Sequence, residues 1–152
     1  MTVSNMNEAR PVQFLLVEDD EDHAELVRSV LSDYRVANLL DHVWDGEEAM
    51  AYLRREGKFA GSPRPDIILL DLKLPRMDGH EVLAEIKNDP KLLSIPVVML
   101  TTSDAESDRI VAYSHYVNSY LVKPVDFTRF SDLIKTLGLY WSVWNAPPPP
   151  PR

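Results

Sequence analysis

The stretch that decides the fold is residues 65–79, Pro-Asp-Ile-Ile-Leu-Leu-Asp-Leu-Lys-Leu-Pro-Arg-Met-Asp-Gly. Ile67, Ile68, Leu69 and Leu70 form an unbroken branched-aliphatic run. A strand covered on both faces of a parallel sheet reads this way. Asp71 stands at its carboxyl end, and Pro75 and the Asp78-Gly79 turn signal follow. An ionised carboxylate beside a buried strand is costly unless something pairs with it. The next helix begins near Gly79, too far along the chain for Asp71 to cap it. The partners of Asp71 must therefore come from the ends of other strands.

Working outward, residues 12–17 read as a strand, and Glu18-Asp19-Asp20-Glu21-Asp22 follows at once. A helix over 22–34 puts Ala24, Val27, Leu31 and Tyr34 at helical spacing. A shorter strand lies within 36–44, and Asp45 caps a helix over 46–55 with Ala49, Met50 and Leu53 inward. Residues 57–65 carry two glycines and two prolines and read as a loop. A helix over 80–88 stops before Asp89-Pro90. The apolar strand over 95–100 is closed by Thr101-Thr102-Ser103, and a helix over 104–116 follows with a thin stripe of Ile110, Val111 and Tyr113. The last strand, 119–122, is closed by Lys123-Pro124, and a long helix runs over 126–144. The expected organisation is a loose arm over 1–11, one folded domain over 12–145 and a proline-rich tail over 146–152.

Five strand–helix alternations imply an α/β fold, a parallel sheet with helices on both faces. Ligands of such sheets bind beyond the carboxyl ends of the strands. Those ends supply Glu18 and Asp19, Asp71, Thr101 and Lys123. Three carboxylates on one rim raise one another's pKa, and a hard divalent cation relieves that. Mg²⁺ takes oxygen ligands and suits such a set. With a lysine and a hydroxyl beside a free carboxylate, the arrangement reads as a phosphoryl site in which Asp71 attacks as the nucleophile. The alternative is a neutral salt-bridge cluster that ties the strand ends together.

Composition narrows the function classes. The 152 residues carry a net charge of −8, which argues against nucleic-acid and anionic-membrane partners. There is no cysteine, hence no disulfide frame or thiolate metal site. No apolar run approaches the roughly 20 residues of a membrane span. The opening residues are polar and lack a secretory core, so a cytoplasmic location is expected. His23, His42, His80 and His115 are scattered and are expected at the surface or at partner contacts. No glycine-rich phosphate loop supports an ATPase.

Leu-Val-Glu-Asp-Asp, Leu-Leu-Asp-Leu-Lys-Leu-Pro, Met-Asp-Gly, Leu-Thr-Thr-Ser and Tyr-Leu-Val-Lys-Pro occur in that order. Together they resemble the receiver domain of bacterial two-component response regulators, the CheY-like family, over residues 12–138. The resemblance implies a flavodoxin-like sheet of order 2-1-3-4-5. It implies Asp71 as phosphoacceptor and Mg²⁺ held by Asp19, Glu18, Asp71 and the backbone carbonyl of Lys73. Thr101 and Lys123 match the phosphate-sensing hydroxyl and ammonium, and Tyr120 the aromatic switch. The side chains of Lys73 and Ser103 fall where the family tunes phosphoryl lifetime. The Lys123-Pro124 bond is expected to be cis, as in the family. The loop over 57–66, the helix end over 83–90 and the aromatic last helix are similar to small regulators that partner phytochrome-type histidine kinases. The donor is then such a kinase or a phosphotransfer protein. Too few residues follow Gly138 for a DNA-binding module, so output is expected through protein contact or onward phosphoryl transfer.

Two other classes share part of this pattern. A haloacid-dehalogenase-like phosphatase also forms an aspartyl phosphate, but needs an acid/base Asp where Lys73 stands. A pseudo-receiver keeps the fold as an interaction module without phosphorylation, and the full set Asp19, Asp71, Thr101, Lys123 argues against it. The last helix carries a further expectation. Phe130, Leu133, Ile134, Leu137, Trp141 and Trp144 recur at helical spacing, and Phe127 and Tyr140 widen the stripe. We expect a homodimer through Phe130, Leu137, Trp141 and Trp144.

Overall fold

The computed structural model describes residues 11–33 and 38–149. Residues 1–10 of the expected arm over 1–11, the stripe position Tyr34, the strand start at Val36 and residues 150–152 lie outside them. Among the described residues the strands are β1 (Val12–Val17), β2 (Asn38–Val43), β3 (Ile67–Leu70), β4 (Val97–Thr101) and β5 (Ser119–Val122). They form one parallel sheet in the order β2-β1-β3-β4-β5, as expected. The helices between and after them are α1 (Glu21–Ser32), α2 (Gly46–Arg54), α3 (Gly79–Asn88), α4 (Glu106–Ser114) and α5 (Phe127–Leu139).

Side chains along each strand point alternately to the two faces, so the apolar runs build two cores. Leu15, Val17, Ile68 and Leu70 face α2 and α3, where Met50, Val82, Leu83 and Ile86 are buried. Phe14, Leu16, Ile67 and Leu69 face the other way, onto Ala24, Val27 and Leu31 of α1 and Phe130, Ile134 and Leu137 of α5. Both faces being covered explains why β3 can be aliphatic at every position.

Helix starts are fixed by caps rather than by the apolar pattern. Asp20 accepts from the backbone N–H groups of Asp22 and His23 and starts α1 at Glu21. Asp78 accepts from the Glu81 N–H while the Glu81 carboxylate reaches back to the Asp78 N–H. That capping box starts α3 at Gly79, one residue before the sequence expectation. Gly79 also lies so close to β3 that a Cβ there would overlap the Asp71 carbonyl oxygen and sit 2.7 Å from Leu72 Cα.

Three expectations need correction. In α4 the proposed inner stripe is outward: Ile110 is 61% exposed, Val111 and Tyr113 are exposed too, and Ala112 is the buried residue. The helix touches the sheet through a methyl group, too small a face to set the helix by its apolar period. In α5, Phe130 and Leu137 are buried against the chain's own sheet and cannot reach a second copy. They occupy the inward i, i+7 positions, whereas Leu139, Tyr140, Val143 and Trp144 are exposed. Trp141 is partly buried against the same core. The long final helix becomes a wider π-type turn over Tyr140–Trp144. Third, Lys123-Pro124 is trans, like every peptide bond among the described residues, the isomer that an X–Pro bond favours by about 0.5–1 kcal/mol.

Candidate functional site, an acidic pocket at the carboxyl rim of the sheet

Strand register brings the site together. Val17 pairs with Leu70, so the next residues, Glu18 and Asp71, emerge side by side. Thr101 pairs with Val122, so Lys123 follows directly beside it. Backbone bonds continue each strand past its end: Glu18 N–H donates to Val43 at 3.1 Å, Asp71 N–H to Val17 at 3.0 Å, and Lys123 N–H to Thr101 at 2.7 Å. A one-residue slip would turn these side chains to the opposite face.

Glu18, Asp71, Thr101 and Lys123 are buried, and Asp19 is exposed at the mouth. Carboxylate oxygens of Glu18, Asp19 and Asp71 all lie within 4.8 Å of one another. The Lys123 ammonium donates to Glu18 and, at 3.2 Å, to Asp71. Burial, with the neighbouring Asp71 adding to it, pushes the Glu18 carboxyl up to about 8, although Lys123 pulls the other way. One lysine thus does not balance the acids. An all-oxygen pocket short of positive charge is what a hard divalent cation fits.

A second cluster adjoins the rim on the α4 side. Ser103 N–H donates to Thr101 Oγ1 at 3.3 Å, and Ser103 Oγ donates to Asp108 at 2.5 Å. Asp108 also meets His80 Nε2 of α3 at 3.3 Å. The Ser103 and His80 contacts hold the Asp108 carboxyl below its ordinary range. Tyr120 is half-buried, and its hydroxyl donates to the Ser103 carbonyl at 2.9 Å. The expected switch residues Thr101 and Tyr120 are therefore joined through Ser103, the expected tuning residue, in the β4–α4 loop. The Lys73 side chain is exposed and pairs with neither Glu18 nor Asp71.

Three of the histidines expected at the surface or at partner contacts are instead half-buried and bonded within the fold. His23 Nδ1 lies 2.9 Å from Lys123 Nζ. His42 Nε2 donates to the Glu18 carbonyl at 2.7 Å, while its Nδ1 accepts from Arg28 at 3.2 Å. Burial holds His42 below its usual pKa, in keeping with that neutral tautomer. His80 ties α4 to α3. The signal for His23 was its place in the first turn of α1, which starts at the rim. His42 needed the register, since its β1 partner Leu16 lies two residues before Glu18.

A parallel five-stranded sheet of this order, carrying this acidic pocket and lysine at its carboxyl rim, defines a phosphoryl-signalling receiver. The family model for the response regulator receiver domain matches residues 14–135, and the chain belongs to that family of two-component signal transducers. It is similar to the probable methanogenesis regulatory protein FilR2 of Methanothrix harundinacea, 43% identical over 141 residues, 92% of this chain and 90% of the relative. Response regulator Rcp1 of Synechocystis is 44% identical over 131 residues, 86% and 89% of the two chains. The crystal structure of its Mn²⁺-bound form aligns with TM-score 0.89 at 42% identity, covering 91% of this chain and 100% of that one. The phosphorylated cyanobacterial phytochrome response regulator RcpA aligns with TM-score 0.89 at 42% identity, covering 92% and 100%.

Proposed function

We propose that the chain accepts a phosphoryl group on Asp71 from a histidine kinase and transmits the event through its α4 side. The observation that carries this reading is the placement of Asp71, beside Glu18 and Asp19 and within 3.2 Å of Lys123. An oxygen of Asp71 attacks phosphorus of a phosphohistidine, the new O–P bond forms, and the P–N electron pair returns to imidazole. Lys123 is placed to hold a phosphoryl oxygen, and Thr101 to donate to another. Glu18, Asp19, Asp71 and the Lys73 carbonyl would hold Mg²⁺, which when bound neutralises charge on the transferred group. The relatives that are phytochrome response regulators support a phytochrome-type kinase as donor, and hence a cytoplasmic location.

Incubation with acetyl phosphate and Mg²⁺, read by intact mass, tests the assignment. The parent gains one phosphoryl group and Asp71→Asn gains none, while Asp19→Asn weakens Mg²⁺ binding. Undiminished labelling of Asp71→Asn would overturn the assignment, and a parent that takes up no phosphoryl group would leave the pseudo-receiver reading.

Signal output follows from the Tyr120–Ser103 bond. Thr101 moving toward a phosphoryl group pulls the loop that Tyr120 holds, and the Ser103–Asp108 bond passes that motion to α4. Thr101→Ala is expected to be phosphorylated yet to lose the response of α4. We also propose a homodimer, now through the exposed residues Leu139, Tyr140, Val143 and Trp144 beside a groove of about 500 Å³ lined by Leu121, Leu133 and Trp141. Sedimentation of the parent and of Tyr140→Ala, Trp144→Ala decides it. A parent that stays monomeric at tens of micromolar, with and without beryllofluoride, removes the dimer.

A further inference from the structure

Lys123 has three protons to donate and no lone pair to accept with. Its side chain is 1% exposed, so water cannot serve the ammonium freely. Glu18 takes one proton and Asp71 a second. The third points at His23 Nδ1, 2.9 Å away. Because lysine can only donate, Nδ1 must carry the lone pair and Nε2 the ring proton.

The imidazole is itself held on two sides. Its backbone N–H donates to the cap Asp20 at 3.1 Å. Its ring stands edge-on to Phe130 of α5, 5.4 Å between centroids at 85°. The α1 N-terminus and α5 thus fix the acceptor, and the acceptor fixes the ammonium. With the acceptor gone, a buried proton of a charged group has no partner, and the ammonium falls toward Glu18 and away from Asp71.

We propose that His23 is a positioning residue for Lys123, an inference that rests on Asp71 being the phosphoacceptor. His23 anchors the ammonium from the α1 side so that it spans Glu18 and Asp71. Once Asp71 carries a phosphoryl group, one donor of Lys123 turns to a phosphoryl oxygen while His23 keeps its own.

Two substitutions separate this role from simple packing. His23→Phe keeps a ring against Phe130 and removes the acceptor. His23→Asn places an amide oxygen where Nδ1 stood and removes the ring. If His23 positions Lys123, labelling by limiting acetyl phosphate slows about tenfold in His23→Phe, the scale of a lost bond to a charged group. It stays near the parent rate in His23→Asn. If His23 only packs, the order reverses. Ring ¹⁵N NMR of the unphosphorylated parent gives a readout that needs no phosphoryl transfer. The Nε2–H tautomer is expected, with its Nδ1 shift moved in Lys123→Ala; an Nδ1–H tautomer, or a parent-like rate in His23→Phe, overturns the proposal. A parent that takes up no phosphoryl group at all sinks the Asp71 reading, and the NMR result still decides whether His23 holds Lys123.

Discussion

Helices α3 and α4 lie side by side on the same sheet face, yet they are held differently. α3 buries Val82, Leu83 and Ile86 and carries a capping box. α4 buries Ala112, and Ala105 at its N-cap offers no side-chain bond. Each buried aliphatic side chain is worth about 1.5–3 kcal/mol, so the hydrophobic effect anchors α3 and barely touches α4. What ties α4 down is polar: Asp108 to Ser103 and to His80. The sheet face therefore has a fixed half and a tethered half. The tethered half adjoins Thr101 and Tyr120, where on the proposed function a phosphoryl event would be read out. Movable elements are drawn from the less stable parts of a fold.

Core truncation separates the two helices most strongly. Ile86→Ala is expected to cost about 2–5 kcal/mol, whereas Ile110→Ala stays within about 0.5 kcal/mol. Urea unfolding monitored by circular dichroism measures both, and equal losses would show α4 to be as well anchored as α3.

Gly79→Ala comes next. Its Cβ meets backbone that has no room to give, so a loss of about 1–3 kcal/mol is expected. Labelling should slow as well, because the overlapped carbonyl belongs to Asp71. Normal labelling with lowered stability would mean that α3 absorbs the strain without moving Asp71.

Exchanging caps tests the contrast from both sides. Asp78→Ala should cost about 1 kcal/mol, and Ala105→Asp should return up to a similar amount to α4. Hydrogen exchange of α4 amides should slow in Ala105→Asp; unchanged exchange would place the weakness of α4 elsewhere.

Acid gives the smallest effect. The Asp108 carboxyl lies below its ordinary 3.8 in the folded chain, first through Ser103 and then through His80. Its contribution to stability is therefore full above that value, and it is lost as pH falls through the folded pKa. The Asp108 carboxyl ¹³C shift should titrate with a midpoint below 3.8, and His80→Ala should move the midpoint up. A midpoint at or above 3.8 would mean that the tether is absent in solution.

Strands with two covered faces were readable because every residue of β3, and of β4 before Thr101, had to be apolar, whatever its neighbours. The rim was readable for a similar reason. Glu18, Asp71, Thr101 and Lys123 each end or follow an apolar run, and parallel topology sends all those ends one way. The α4 stripe was misread because Ile110, Val111 and Tyr113 have helical spacing without a sheet beneath them. Spacing reports a face, not what covers it. Phe130 and Leu137 were assigned to an interface for the complementary reason: one stripe on α5 served two purposes, and only the sheet could divide it. His23, His42 and His80 act across elements, through contacts that no local pattern encodes.

The pocket also has an order in time. Glu18 and Lys123 meet across 105 positions of sequence, and Asp71 and Lys123 across 52. β5, which leads directly into Lys123, is an edge strand and the last of the five to leave the ribosome. Until it docks, the acids of the rim repel one another with no ammonium between them. On the proposed function, a nascent chain is then no substrate for a kinase, and the ability to receive a signal arrives only with the completed sheet.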